Sequence, residues 1–504
     1  MASFRLSAGA GRLSRAALLA FFVLLGAPTL VRGHTGLRKS EPAAGARVST
    51  PLSTIRLWFS ESVQLAVTRV RLVGPDSAAT ALTLTPSPTE PKLVLAALPG
   101  PLAAGVYRVE WQTGGRDGHP VRGQFRFTVL AAEPAADTAG TAAAPDTGTL
   151  ASGAPPASGA FNAALDSMMR ERTDYAAERL EARGGKSLSE YRVARWAEFV
   201  GLLVTLGAIL FHHLVARDLR ARGFDLVARD ASDATRQLAL AALLLLVAAG
   251  VARLYGETSA LGAPGESVTL AGIRTMATET EWGRGWIVGM AGALLAVVGI
   301  AGARRASSGW TLAAVGGVGL ALAPALTGHA AATRDLPTVA IAADAVHVVG
   351  AAGWLGMLLV VLMAGLPAVR RRPEEEQGVA ADALLQRFHP IARVCVLLVL
   401  LSGLASATIR LRSIDALTHT NYGSLLLYKV FIFLFAGLIG LYNWQKVLPR
   451  MRYADGPRRL RRSASVELLV GLVVVALTAA LVATEPPDMQ ERGAPSTSTI
   501  TDGR

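Results

Sequence analysis

Hydrophobic positions follow two different patterns in the two parts of the chain. Between residues 34 and 130, apolar and polar side chains alternate over short stretches separated by turn-forming residues. Alternation of period two predicts half-buried strands, and short strands without helical periodicity predict an all-β antiparallel sandwich. The alternating positions are Ile55, Leu57 and Phe59; Val70 and Leu72; Tyr107, Val109 and Trp111; and Val121, Phe125, Phe127 and Val129. Trp58 or Phe59, together with Trp111, is expected to close the interior.

The second pattern consists of long apolar runs, each sufficient to cross a bilayer. The runs cover residues 194–214, 236–255, 284–303, 309–327, 338–366, 390–410, 423–444 and 465–483. Residues 191–485 are therefore predicted to form an all-α polytopic transmembrane bundle of about eight helices. With 51% hydrophobic residues, the chain is too apolar for an ordinary soluble protein, which agrees with this division.

The positive charges lie mainly in alternate connections between the apolar runs. The basic positions are Arg217, Arg220, Arg222 and Arg229; Arg304 and Arg305; Arg370, Arg371 and Arg372; and Lys446, Arg450, Arg452, Arg458, Arg459, Arg461 and Arg462. Basic loops stay on the cytoplasmic side, so the position of these charges, rather than a nucleic-acid partner, accounts for the net charge of +13. We expect a multi-pass protein of the cytoplasmic (inner) membrane whose amino-terminal domain lies on the extracytoplasmic side.

The remaining segments have the composition of processing and linking sequences. Residues 1–33 combine arginines, an apolar stretch and small residues before His34, which predicts a signal peptide, although an uncleaved anchor is an alternative. Residues 131–190 begin with an Ala-, Thr-, Pro- and Gly-rich stretch and continue as a charged one, so we predict a flexible linker and stalk. Residues 486–504 are predicted to be a disordered tail.

Two places in the first domain carry metal-binding chemistry. Cleavage before His34 would place a free amine beside an imidazole, and the two groups together can chelate one metal ion. Asp117 and His119 lie in an Asp-Gly-His-Pro turn, where the alternative is a polar turn without a ligand. The single cysteine, Cys395, lies in an apolar run, which excludes a disulfide or thiolate site in this domain.

These features resemble the CopC family of periplasmic copper carriers. The resemblance rests on His34-Thr-Gly-Leu37, Ser40-Glu-Pro-Ala-Ala-Gly45, Leu57-Trp-Phe-Ser-Glu61, Asp117-Gly-His-Pro-Val121 and Gly123-Gln-Phe-Arg-Phe127. It implies an immunoglobulin-like or cupredoxin-like sandwich of residues 34–130 with a Cu(II) site formed by His34, Asp117 and His119. Nitrogen and oxygen donors suit Cu(II), and the absence of methionine between His34 and Leu130 predicts Cu(II) only.

Polar residues inside apolar runs are costly and often mark a ligand site or path. His329 lies near the end of the fourth run, whereas Asp344 and His347 share one face of the fifth. An antiparallel fifth helix would bring that face toward His329, and the three residues form a candidate intramembrane site in which Asp344 orients His347. The alternative is that Asp344 and His347 form a buried hydrogen-bonded pair that holds two helices together.

This second part resembles the CopD family of inner-membrane copper proteins. The matching residues are Pro324-Ala-Leu-Thr-Gly-His-Ala330, Asp344-Ala-Val-His347, Gly353-Trp-Leu-Gly356, Arg387-Phe-His389, Tyr422-Gly423, Lys429, Asn443 and Glu467. The resemblance implies copper as the ligand of this domain as well, with Cu(I) a candidate form there.

Together the two resemblances predict copper binding and transport without an enzymatic activity. The outer domain would capture Cu(II) and pass copper to the membrane domain, with import favoured and a role in copper homeostasis or resistance. The expected partners are the copper ion, the lipid bilayer, and periplasmic copper proteins or a cuproenzyme. One alternative is periplasmic copper sequestration with the bundle as anchor or sensor. Another is a haem-binding membrane redox protein that uses intramembrane histidines.

Overall fold

The first domain consists of two packed β-sheets. The computed structural model describes residues 36–49, 51–115, 120–131, 185–262, 266–328, 330, 337–410, 414–450 and 456–482. The strands are β1 Leu37–Glu41, β2 Arg47–Val48, β3 Thr54–Phe59, β4 Arg69–Val73, β5 Ala79–Ala81, β6 Thr83–Pro86, β7 Leu93–Ala97, β8 Gly105–Gly114 and β9 Pro120–Val129. One sheet has the order β1-β3-β7-β6 and the other β2-β9-β8-β4-β5. All described pairs are antiparallel except the two-residue pair β2–β9, which the purely antiparallel prediction missed.

The core of the sandwich contains the alternating residues that the sequence indicated. Ile55 and Leu57 are fully buried on β3, and the Phe59 ring meets the Trp111 ring edge-on at 5.3 Å between centroids. Trp58 lies on the opposite face of the strand and donates a hydrogen bond from Nε1 to Glu90 Oε2 at 2.9 Å. Phe59 is therefore the residue that closes the interior with Trp111, because successive strand residues point to opposite faces.

Among the described residues of the second domain, eight helices are long and apolar enough to cross a membrane, as predicted. These spans are Tyr191–Ala221, Asp225–Ala260, Glu281–Gly302, Ser308–Leu326, Pro337–Arg370, Glu374–Ile409, Tyr422–Val447 and Arg459–Val482. The second and sixth are 36 residues each and begin well before their apolar runs. Short helices Leu270–Glu279 and Ile414–His419 precede the third and seventh spans. Hydropathy did not predict these additional helical residues, because it identifies only the apolar segment that crosses the lipid and they lie outside that segment.

The fifth span lies against the first through small residues. Gly207 and Gly356 bring the two backbones into contact, so that a side chain at either glycine would meet the backbone of the other helix. Small residues are the usual means of close helix approach in a membrane. π-helical turns interrupt three of the spans, at His212–Ala216, Ala352–Gly356, Val361–Gly365 and Asn443–Val447. Such turns occur frequently at functional sites.

Candidate functional site

Four of the six predicted ligands, His34, Asp117, His119 and His329, lie outside the residues that the structure describes. Their described chain neighbours nevertheless show which end of the sandwich is involved. The Gly36 amide donates to Ser60 Oγ at 2.9 Å, and the Ser60 amide donates to the Gly36 carbonyl at 2.8 Å. Gln64, four residues after Ser60, donates from Nε2 to the Gly115 carbonyl at 2.7 Å. Gly36 and Gly115, which flank the predicted ligand segments, therefore belong to the same end of the sandwich.

A carboxylate that the ligand prediction did not include lies at this end. Glu61 follows Ser60 directly and is only 6% exposed. Carboxylates are rarely buried unless they have partners, and Glu61 has one. The sequence placed Glu61 in a family motif but did not distinguish a buried carboxylate from an exposed one at the end of a strand.

The same end of the sandwich is docked on the membrane domain. Val67 packs beside an apolar cluster that contains Leu254, Leu261, Met276 and Trp282. Hydrogen bonds surround this contact. Gln112 Nε2 donates to the Leu261 carbonyl at 2.7 Å, and Arg122 Nη2 donates to the Ala260 and Gly262 carbonyls at 2.8 and 3.1 Å. In the opposite direction, the Glu281 amide donates to Gln64 Oε1 at 2.8 Å.

The docking site is the end of the second span and the beginning of the third. Arg122 lies at the carboxyl end of the second span, where a positive charge interacts favourably with the helix dipole. An exposed ion pair between Arg69 and Glu266, at 2.6 Å, lies at the edge of the contact. Gln112 on β8 and Arg122 on β9 thus both contact the membrane domain. Sequence patterns did not indicate this contact because its acceptors are mainly backbone carbonyls.

Asp344 and His347 lie on the fifth span and are both partly buried. Ser406 donates from Oγ to Asp344 Oδ1 at 2.8 Å, and His347 Nδ1 is 3.0 Å from Ser402 Oγ. Both serines belong to the sixth span and were not among the predicted residues. The Ser402 hydroxyl donates to the Leu398 carbonyl, and its oxygen can then accept the proton of a His347 ring protonated at Nδ1. This tautomer leaves the lone pair on Nε2, the form in which an imidazole ligates a metal.

An ionic group lies at the end of the bundle nearest the sandwich. Arg253 Nη1 is 3.2 Å from Glu198 Oε1, and Arg195 Nη1 is 3.2 Å from Glu198 Oε2. Arg253 Nε is also 3.8 Å from Glu257, which accepts a hydrogen bond from the Tyr191 hydroxyl at 3.1 Å. The two arginine side chains are 2% and 3% exposed, so these charges are buried as compensated pairs. We call Tyr191, Arg195, Glu198, Arg253 and Glu257 the ionic group.

A second polar group joins the fifth, seventh and eighth spans. Glu467, which is 7% exposed, accepts a hydrogen bond from Trp354 Nε1 at 3.0 Å and another from Asn443 Nδ2 at 2.9 Å. Trp354 and Asn443 both lie in π-helical turns. The sequence showed that all three positions match a family pattern but not that they meet. We call Trp354, Asn443 and Glu467 the carboxyl group cluster.

Three family models match successive parts of the chain. They are the CopC domain over residues 37–130, the N-terminal domain of copper resistance protein D-like proteins over 189–339, and copper resistance protein D over 382–481. The order is that of a sandwich followed by a membrane bundle. The matched segments include β1 to β9 and most of the spans described above.

Individual relatives agree with this order. The chain is 26% identical to copper transport protein CutJ of Bacillus subtilis (strain 168), over 93% of this chain and 77% of that protein. Copper resistance protein D of Pseudomonas syringae pv. tomato is 29% identical over 59% of this chain and 96% of its own length. Copper resistance protein C of the same organism is 32% identical over 20% of this chain and 83% of its own length. The chain therefore belongs to the copper resistance and transport family as a fusion of a CopC domain with a CopD membrane domain.

Proposed function

We propose that this protein imports copper across the cytoplasmic membrane. The sandwich captures Cu(II) on the outer side and passes copper to the membrane domain, which moves it inward. The observation that carries the proposal is the docking of one end of the sandwich on the second and third spans. Gly36 and Gly115 at that end flank the segments that contain His34, Asp117 and His119.

Docking of the donor on the acceptor supports a direct hand-off. A tether alone raises the local concentration of one domain at the other to about millimolar. The contacts of Gln112 and Arg122 with the end of the second span add orientation to that proximity. Copper released from the sandwich would therefore meet the membrane domain before it could diffuse away.

His347 is the proposed acceptor in the membrane domain, together with His329 and Asp344. Its hydrogen bond to Ser402 holds the ring in the tautomer suited to metal ligation. Gly403 leaves space for the ring, since a methyl group at that position would lie 3.3 Å from His347 Cε1. A defined tautomer and a fitted ring position are what a relay ligand needs.

The proposed orientation of the bundle follows from the distribution of charge. The arginine-rich connections after the first, third, fifth and seventh spans belong on the cytoplasmic side. The end of the second span, where the sandwich docks, is then on the outer side. In the proposed import, copper captured by the sandwich would enter the bundle from the outer side and leave it on the cytoplasmic side.

Copper accumulation in cells tests the proposal against sequestration with the bundle as anchor or sensor. Cells that express the chain should accumulate radiocopper in the cytoplasm faster than cells without it. His347→Ala should abolish this uptake while Cu(II) binding to the outer domain is retained, and His119→Ala should weaken Cu(II) binding itself. Thr408→Ala, at an exposed position of the sixth span, is the control. Copper that stays outside the cytoplasm in all strains would contradict import and favour sequestration.

A further inference from the structure

Glu467 is placed differently from other acidic residues of the spans. It lies eight residues after Arg459, the first residue of the eighth span, which is about 12 Å along the helix axis. Its hydrogen-bond donors, the indole of Trp354 and the amide of Asn443, are both neutral. A carboxylate inside a membrane is costly unless a positive charge or a proton compensates it.

Within the described part of the chain, no cation is hydrogen-bonded or ion-paired with Glu467. The ionisable groups on the surrounding spans include Arg195 and Glu198 on the first, Asp344 and His347 on the fifth, Arg393 and Cys395 on the sixth, Lys429, Tyr442 and Lys446 on the seventh, and Arg459, Arg461 and Arg462 on the eighth. Arg195 is paired with Glu198, and the Arg393 guanidinium stacks on the Trp444 ring at 4.5 Å. The carboxyl of Glu467 therefore lacks the compensation that Glu198 has, and a proton can supply it.

Asn443 has a buried atom that fits a protonated partner. Its side chain is 1% exposed, Nδ2 donates to Glu467 Oε2, and Oδ1 has no hydrogen-bond partner. A buried acceptor without a partner costs about 1–3 kcal/mol. When Glu467 carries a proton, its O–H needs an acceptor, and rotation of the Asn443 amide would supply Oδ1. Asn443 can thus serve both forms of the carboxyl, as donor to one and acceptor for the other.

The surroundings leave room for this exchange. Gly440 lies one turn before Asn443 and faces the carboxyl, so that a methyl group there would lie 3.0 Å from Glu467 Oε1. Trp354 and Asn443 lie in π-helical turns, which locally alter the regular hydrogen bonding of a helix. His347 is seven residues before Trp354, about two turns along the same face of the fifth span. The carboxyl group cluster therefore lies about 10 Å further along the span that carries the proposed copper acceptor.

We propose that Glu467 is a proton-binding site of the membrane domain. Proton binding converts the carboxylate to the acid, breaks the Asn443 N–H bond to Oε2 and forms an O–H bond to Asn443 Oδ1. Release of the proton reverses both changes. Moving copper across a membrane requires a driving force, which a coupling ion such as the proton can supply, and in this respect the inference rests on the proposed function. The protonation itself does not depend on it.

Infrared difference spectroscopy of the full chain in liposomes tests the protonation. Between acidic and alkaline buffer, the wild type should show the carbonyl band of a carboxylic acid in a dry environment. Glu467→Gln should remove this band, whereas Glu198→Gln, which alters an arginine-paired carboxyl, should retain it. Asn443→Leu should shift the band, because the acid loses its acceptor, and this variant keeps the test valid if Glu467→Gln folds poorly. A band that is absent from the wild type, or unchanged in Glu467→Gln, would overturn the proposal.

Copper flux in the same liposomes tests the coupling separately. A pH-sensitive dye inside the liposomes should report proton movement when copper enters through the wild type but not through Glu467→Gln. Copper entry without any proton movement in the wild type would overturn the coupling. Failure of the wild type to move copper would contradict the proposed function, and the infrared band would still decide whether Glu467 binds a proton.

Discussion

The ionic group and the carboxyl group cluster both place glutamates inside the bundle, but they stabilise them differently. Glu198 is bonded to two arginines, Arg195 and Arg253, whereas Glu467 is bonded to the neutral Trp354 and Asn443. The charges of the first group compensate one another, so removing any of them leaves another charge buried. The second group has no such constraint, and its carboxyl can change its protonation at lower cost.

This difference indicates that the two groups have different roles in the membrane domain. The ionic group lies beneath the docked sandwich and ties the first span to the second, so we expect it to be a rigid support. In the carboxyl group cluster, Trp354 follows His347 on the fifth span, and Asn443 Oδ1 is an acceptor without a hydrogen-bond partner. We expect rigidity beneath the docked sandwich and adjustable hydrogen bonds around Glu467.

The largest expected effect is that of Arg253→Leu. The change leaves Glu198 and Glu257 buried with less compensation, which should lower the free energy of unfolding by about 3–5 kcal/mol. Equilibrium unfolding in detergent micelles measures it, with Arg305→Leu at an exposed connection as the control. A loss below about 1 kcal/mol would mean that the ionic group behaves like a surface pair.

The second-largest effect is expected on the copper affinity of the membrane domain, when His347 or its partner Ser402 is changed. Ser402→Ala removes the hydrogen-bond acceptor of His347 Nδ1 and should weaken copper binding by the membrane domain about 10–100-fold. His347→Ala should remove the binding altogether, and isothermal titration compares these variants in a His119→Ala background, in which copper binding by the outer domain is weakened. Equal affinity in Ser402→Ala and the parent would show that the serine does not position a ligand.

Adding a methyl group beside Glu467 should have a moderate effect. In Gly440→Ala the new Cβ would lie 3.0 Å from Glu467 Oε1, and crowding of this kind costs about 1–3 kcal/mol. Gly437→Ala is the matched control on the same helix, because nothing lies within 4 Å of its added Cβ. The infrared band of Glu467 should shift in Gly440→Ala only. If both variants behave alike, the carboxyl has more room than the structure shows.

Glu467→Gln should change stability by no more than about 1 kcal/mol, since the amide oxygen still accepts the Trp354 hydrogen bond. Unfolding under the conditions used for Arg253→Leu measures the contrast between the two groups directly. A loss of stability as large as that of Arg253→Leu would show that the Glu467 carboxyl has a purely structural role. It would contradict the difference proposed between the two groups.

The smallest effect on stability is expected for the solvent-exposed ion pair between Arg69 and Glu266. Arg69 and Glu266 join the sandwich to the membrane domain at 2.6 Å, but their side chains are 52% and 44% exposed. Arg69→Ala should therefore cost about 0–1 kcal/mol, and less in high salt. Arg122→Ala should loosen the docking more, because Arg122 binds two backbone carbonyls of a helix end. Cross-linking between the sandwich and the end of the second span compares the two variants.

Much of the fold was predictable because it depends on periodic patterns. The alternation of Ile55, Leu57 and Phe59 predicts the strand that they form, and the eight apolar runs predict the eight spans. The choice between Trp58 and Phe59 was not predictable, because both are aromatic and only the pairing of β3 decides which one points inward. The parallel pair of β2 with β9 is likewise set by the approach of distant segments.

The candidate site was predictable only as a set of residue types. Asp344 and His347 were expected to share a helix face, but their partners Ser406 and Ser402 are more than 50 residues away and carry no local signal. The orienting role predicted for Asp344 stays a prediction, as do the ligand roles of His34, Asp117, His119 and His329.

The sequence by itself determined the two domain types, the number of spans and the chemistry available to copper. These properties follow from local hydrophobicity and from the donor atoms of individual side chains. Only the tertiary structure decided which end of the sandwich docks on the bundle and that Trp354, Asn443 and Glu467 meet. Such contacts join residues distant in sequence, and their energies depend on burial and on the direction of each hydrogen bond, which a linear pattern does not contain.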